Sequence, residues 1–172
     1  MSKPQYIANG SDNVFTASTQ AGQALSLALS TTQTGFTLSN PANSGYNLVL
    51  LNVRVAFTTA PAGISTVVLA ANVNPLAPVT THTAALTIQN AKLGGGSASV
   101  AKADSQCTLP VAPVVIRGLG GPVATGSVSQ SQIVDDIDGS IVVTPGCAVS
   151  VNALTTAISG VISMTWAEVS SF

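Results

Sequence analysis

Hydrophobic and polar residues alternate along most of this chain. The clearest run is residues 46–59, YNLVLLNVRVAFTT, where every second side chain is apolar between positions 51 and 57. Side chains of an extended chain point to opposite faces in turn, so this pattern predicts a long strand with one buried face. The residues expected on that face are Leu51, Val53, Val55 and Phe57.

Shorter alternating runs recur between clusters of Gly, Pro, Asn and Ser, which favour turns. We predict strands within QALSLALS (23–30), ISTVVLAANV (64–73), AALTIQNAKL (84–93), SQCTLPVAPVVIRG (105–118), SIVVTPGCAVSVNAL (140–154) and GVISMTWAEVSSF (160–172). In the first of these runs, Leu25, Leu27 and Leu29 are expected on one face. In the last, Met164 and Trp166 are expected to share a face.

No segment carries the hydrophobic period of a helix over three turns, and Thr, Val, Ser and Gly are poor helix formers. Strands about 8–12 residues apart with turn signals between them are typical of antiparallel sandwiches and barrels. We therefore predict an all-β fold, an antiparallel β-sandwich that is jelly-roll-like and has about eight or nine strands. The sandwich is expected to be a single domain over residues 21–172.

Residues 1–20 are polar and weakly patterned, which predicts an extended N-terminal arm in front of the domain. Tyr6 and Phe15 are the side chains expected to anchor this arm on another protein. The first residues lack the apolar segment of a signal peptide, and no run of about 18 apolar residues follows. Neither a signal peptide nor a membrane span is expected.

Composition narrows the function classes. Charged residues make up 6% of the 172 residues and apolar residues 46%, and the formal net charge is −1. Five Lys and Arg residues are too few for the basic patch that nucleic acid requires. A surface with so little charge promotes association, so we expect a homo-oligomer or a larger assembly, with no nucleic-acid or membrane partner.

Groups that could perform catalysis are scarce. The one histidine, His82, lies among threonines, where we expect a surface or loop position, and no G-x-S-x-G motif is present. Trp166 and Glu168 share a strand face and could bind a sugar. We expect instead that Trp166 is a core or interface anchor and that Glu168 is a rim residue or a partner for an Arg. Cys107 and Cys147 fit no zinc spacing, and we expect reduced, buried thiols, with a disulfide as the alternative. No enzymatic activity and no cofactor are expected.

Half of the six acidic residues lie within QIVDDIDGSIVV, residues 132–143. Asp138-Gly139 is a strong turn dipeptide, so this stretch is expected to be a hydrated turn or loop between two strands. A cation held by Asp135, Asp136 and Asp138 is an alternative, because closely spaced carboxylates suit calcium. A contact with basic groups of another subunit is a further alternative.

The C-terminal part, mainly residues 133–169, resembles small β-sandwich proteins encoded among the structural genes of tailed bacteriophages. The resemblance is carried by the Pro145-Gly146 turn, the strand AVSVNAL, the loop TTAISG and the closing Trp166-Ala167-Glu168. It implies a trimeric jelly roll that decorates the capsid or forms part of a head fibre. The chain shows no collagen-like or coiled-coil extension, which favours a compact cement protein over a long fibre.

Our hypothesis is a non-enzymatic virion structural protein that binds the capsid lattice or other virion proteins as an oligomer, with a trimer expected. It would be assembled in the host cytoplasm and would lie on the capsid surface. Leu51, Met164 and Trp166 are the expected packing residues at the interfaces, with Tyr6 and Phe15 as anchors. The alternatives are a carbohydrate- or receptor-binding fibre-tip module and a self-assembling jelly-roll shell protein.

Overall fold

A computed structural model describes residues 12–59, 62–74, 77–121 and 132–171 of the chain. These residues form two β-sheets that enclose one main hydrophobic core, to which both sheets contribute. The prediction of an all-β antiparallel sandwich is therefore confirmed. No helix in the described ranges is long and apolar enough to span a bilayer.

The described residues contain fourteen strands, divided equally between the sheets. The first sheet consists of β1 (Val14–Ser18), β2 (Gln23–Ala24), β5 (Tyr46–Phe57), β8 (Ile88–Asn90), β11 (Gln132–Asp136), β12 (Val142–Val143) and β14 (Ser159–Ser170). The second consists of β3 (Ser26–Leu27), β4 (Thr32–Ser39), β6 (Val67–Val73), β7 (Thr81–Ala85), β9 (Lys102–Thr108), β10 (Val114–Gly120) and β13 (Cys147–Ala153).

Strand order places the longest strands at the centre of each sheet. The first sheet runs β11-β5-β14-β1-β8, with β12 also on β5 and β2 on β14. The second runs β10-β6-β13-β4-β9-β7, and the short β3 adds a parallel contact to β13. All the other pairs are antiparallel.

The strand count exceeds the predicted eight or nine because several alternating runs change sheets partway. In the first run, β2 pairs with β14 in one sheet and β3 pairs with β13 in the other. Leu25 is buried at this crossing, whereas Leu27 is 47% exposed. The prediction that Leu25, Leu27 and Leu29 share a face is therefore wrong, because the chain does not stay in one sheet.

A β-bulge shifts the phase of the long central strand β5. Its partner β14 pairs Thr165 with Asn52 and then Trp166 with Leu50, so Leu51 has no opposite residue. Leu50 and Val53 are both fully buried, while Leu51 is only half-buried. The prediction that Leu51 lies on the same buried face as Val53 is therefore wrong, because one extra residue reverses the alternation.

The aspartate-rich stretch lies next to the same bulge of β5. Strands β11 and β12 both pair with β5, one after the other, and residues 137–141 project between them. Ile137 is buried there, and Asp138 and Gly139 have φ of 50° and 80° within a turn closed by the Ser140 N–H donating to the Ile137 carbonyl. Positive φ at both central positions identifies a type I′ turn. The predicted turn at Asp138-Gly139 is confirmed, although it interrupts a strand path and does not reverse it.

The expected arm over residues 1–20 overlaps the sandwich. Val14–Ser18 pairs with β14 on one side and β8 on the other, so this part of the chain is an inner strand of the first sheet. Phe15 is buried against Trp166, with ring centroids 6.3 Å apart. Residues 1–11, which include Tyr6, lie outside the described residues.

A substitution of Gly139 tests whether the Asp138-Gly139 turn requires a glycine at its positive φ. A β-carbon there would lie 3.1 Å from Cγ1 of Val49, and the positive φ disfavours any L side chain. We expect Gly139→Ala to lower the free energy of unfolding by about 1–2 kcal/mol in urea titrations. In Gly95→Ala, the matched control, the new β-carbon meets no atom within 4 Å, and no loss is expected. Equal effects of the two substitutions would contradict this account of the turn.

Candidate functional site

A cleft of about 490 Å³ opens at the side of the sandwich where the chain passes from β7 in the second sheet to β8 in the first. This volume is within the usual range of small-ligand sites, about 300–1,000 Å³. Its apolar lining includes Phe15, Ala85, Leu86, Ile88, Ala98, Ala101 and Ala103. Its polar lining consists of His82, Asn90, Ser97, Ser99, Lys102 and Asp104.

His82 and Asp104 are in hydrogen-bonding contact at this cleft. Nδ1 of His82 lies 2.7 Å from Oδ2 of Asp104. The two strands that carry them, β7 and β9, pair with register shifts on both sides of Ala84, and these irregularities bring the two side chains together. The His82 side chain is 43% exposed, whereas the Asp104 side chain is fully buried. The surface position predicted for His82 is confirmed, but it lies in strand β7 and not in a loop.

Hydrogen bonds and nearby charge offset the burial of the Asp104 carboxylate only in part. Burial raises the pKa of Asp104 above its ordinary value, and the hydrogen bond and charge of His82 oppose this shift only in part. Oδ1 of Asp104 has no hydrogen-bond partner among the residues that the structure describes. The pair thus resembles the carboxylate-oriented imidazole that many enzymes use as a base.

A nucleophile to complete such a site is not found among the described residues. Cys107 is the cross-strand partner of His82, but burial raises its pKa to about 11, so the unreactive thiol predominates. Ser99 donates its hydroxyl hydrogen to Glu168, and Ser97 donates its own to the carbonyl of Asp12. The cleft therefore presents binding groups, with no activated nucleophile in this part of the chain.

Glu168 lies behind the cleft and not at the rim that we predicted. It is 4% exposed and accepts hydrogen bonds from Oγ of Ser99, the N–H of Val100 at 3.1 Å and Nε1 of Trp166 at 3.3 Å. The N–H of Ala101 is a further donor, at 3.4 Å. A carboxylate can be buried when several donors replace water, and here these donors tie the segment before β9 to β14.

Scarce ionisable groups are concentrated around this cleft. The chain has six acidic residues, five basic residues and one histidine. His82, Lys102 and Asp104 line the cleft, and Glu168 binds its wall. Next to Asn90 and Ser97, Lys92 lies 3.0 Å from a carboxylate oxygen of Asp12. Both cysteines are free: Cys107 is buried on the second sheet, as expected, whereas Cys147 is only half-buried.

The predicted aspartate cluster does not converge on one point. Asp135 forms a bidentate ion pair with Arg117, with nitrogen–oxygen distances of 2.6 and 2.9 Å. This basic partner belongs to the same chain, because β10 and β11 meet at neighbouring edges of the two sheets. Within the described residues, no group of three or more His, Cys, Asp and Glu side chains could hold a metal ion.

Most of the predicted anchor residues lie inside the sandwich. Phe15, Met164 and Trp166 are 0–1% exposed and belong to the main core, where Met164 and Trp166 share a face as the alternation predicts. Leu51 is half-buried at the bulge of β5. Core side chains of this chain are not available to a partner in this conformation, and Tyr6 lies outside the described residues.

No known protein-family model matches the chain, and no curated protein or solved structure matches it significantly.

Asp104 makes stability depend on pH in a defined direction. Because burial raises its pKa above 3.8, its contribution to the free energy of unfolding is fully present below pH 3.8. The contribution decreases as the pH rises through the raised pKa. We therefore expect the stability difference between wild type and Asp104→Asn, measured in urea titrations, to shift in favour of Asp104→Asn as the pH rises above 3.8. A difference that grows in favour of wild type over this range would contradict the assignment.

Replacing Glu168 tests how the cleft wall is held. Glu168→Gln puts an amide NH₂ among donors that need an acceptor, and we expect a loss of about 2–4 kcal/mol in the free energy of unfolding. The control is Asp12→Asn, which removes one half-exposed ion-pair partner of Lys92 and should cost at most about 1 kcal/mol. Similar losses from both substitutions, measured by urea unfolding, would refute the special role of Glu168.

Proposed function

We propose that this protein is a non-enzymatic structural protein that works within an assembly of its own copies and other proteins. The observation that carries the proposal is an apolar edge. Val114, Val115 and Ile116 are consecutive on β10 and are 67%, 38% and 46% exposed. Three adjacent exposed apolar residues on a strand are unfavourable in an isolated protein and are typical of a surface that a partner covers.

The position of β10 supports strand pairing with a partner. It is the last strand of the second sheet in the described part of the chain, where β6 is its neighbour on one side. An edge strand offers unpaired N–H and C=O groups, and proteins that stay monomeric protect such edges with charge, proline or a covering loop. Here the only charged residue of β10 is Arg117, which is already paired with Asp135.

We place this assembly in a virus particle because residues 133–169 resemble small sandwich proteins of tailed bacteriophages. In this proposal the sandwich is a jelly roll, and a trimer binds the capsid lattice as a decoration, cement or head-fibre protein. Apolar edges are buried between copies, and added strand pairing supplies directional hydrogen bonds. Co-sedimentation of the protein with virus particles tests the capsid partner.

Light scattering coupled to size-exclusion chromatography tests the assembly. We expect the wild-type protein to elute as a discrete trimer, and Val114→Lys to reduce it to a monomer with an unchanged melting temperature, because a charge on the edge opposes pairing. Leu93→Lys is the control, since Leu93 is 81% exposed but lies in the turn after β8.

Other outcomes of this experiment separate the alternatives. Large closed particles would favour a self-assembling shell protein over a decoration protein. A wild-type monomer at all concentrations, or equal effects of Val114→Lys and Leu93→Lys, would contradict assembly through β10.

A further inference from the structure

The cleft between β7 and β8 hides its carboxylates and exposes its basic groups. Asp104 is covered beneath His82, and Glu168 lies behind the hydrogen-bonded segment 99–101. His82 is partly exposed, and Lys102 is exposed and makes no ion pair within the described ranges. A molecule entering the cleft therefore meets an ammonium and an imidazole before it meets any carboxylate.

The other polar groups of the cleft are already engaged within the protein. The Asn90 amide donates to the carbonyls of Asp12 and Ser97, and its oxygen accepts from the N–H of Lys92. Ser99 is bound to Glu168. The remaining lining is largely apolar, so the cleft combines hydrophobic walls with the side chains of His82 and Lys102.

The charged groups around the cleft favour a ligand with a negative charge. Glu168 is compensated by its donors, and Lys92 is paired with Asp12. Asp104 is fully buried and lies against His82. The ammonium of Lys102 is then the charge of the cleft that has no ion-pair partner among the described residues, and a monoanion would supply one.

The geometry points to a binding site for a small organic anion, an apolar body that carries one carboxylate or sulfonate. The head group accepts hydrogen bonds from the ammonium of Lys102, and the body packs on Ile88, Leu86 and the alanines of the cleft wall. This site is separate from the β10 edge, so it exists whether or not the protein assembles. Its affinity requires both parts of the ligand, since an exposed ion pair alone contributes little.

The probe for this site is 8-anilinonaphthalene-1-sulfonate, which has an aromatic body and one sulfonate. The single tryptophan, Trp166, packs against Phe15 of the cleft wall, so energy transfer from Trp166 reports binding close to it. We expect one site per chain. Hexanoate should displace the probe, whereas acetate, which lacks the body, and 1-hexanol, which lacks the charge, should displace it at least about fivefold less well.

Two substitutions with the same change in net charge locate the site. Lys102→Gln should weaken probe binding at least about fivefold, whereas Arg54→Gln, an exposed position on β5 of the first sheet, should leave it unchanged. Ala98→Asp, at an exposed position of the cleft wall, places a negative charge beside the ligand and should weaken binding in the same way. Circular dichroism checks that each variant is folded.

Three results would overturn the proposal. They are equal affinity of wild type and Lys102→Gln, an equal loss in Arg54→Gln, and displacement by 1-hexanol as effective as by hexanoate. The first two would mean that the charge of the cleft is not used. The third would mean that the probe occupies an apolar surface with no preference for an anion.

Discussion

The arrangement of the two sheets around the cleft depends on the hydrogen bonds that the buried carboxylate of Glu168 accepts. It belongs to β14, the strand at the centre of the first sheet, and its donors are Ser99, Val100 and Ala101 at the entry to β9 of the second sheet. A buried charge in a low-dielectric interior is stable only when such donors surround it. These hydrogen bonds therefore fix the position of the chain before β9. The cleft wall follows from that placement.

The two sides of the sandwich differ in how charge is used. At one side, Arg117 of β10 and Asp135 of β11 form a bidentate pair that joins neighbouring edges of the two sheets. At the other side, the side chains of Asp104 and Glu168 are buried. Asp104 contacts His82, and Glu168 accepts hydrogen bonds from Ser99 and Val100. Several of the few ionisable side chains of this chain lie where the two sheets meet, although Arg54 is exposed on β5, inside the first sheet.

Alternation predicted the central strands well because their environment is uniform along their length. Met164 and Trp166 of β14 face the core as expected, and the Asp138-Gly139 turn forms from its own local preference. Prediction failed where the partner strand decides the outcome, as at Leu51, whose bulge depends on the register with β14. It failed again at Leu25 and Leu27, because the alternation of hydrophobic residues does not show where the chain passes from one sheet to the other.

Taken by itself, the sequence determined an all-β sandwich with scarce charge, since period two and turn residues act locally and composition needs no partner. It also marked His82 as the one histidine. Only the tertiary structure placed Asp104 beside it, because these residues, 22 positions apart, meet through the shifted register of β7 and β9. Burial, which hides Asp104 and Glu168 and exposes Lys102, is likewise a property of packed sheets, and it decided what the cleft presents to a ligand.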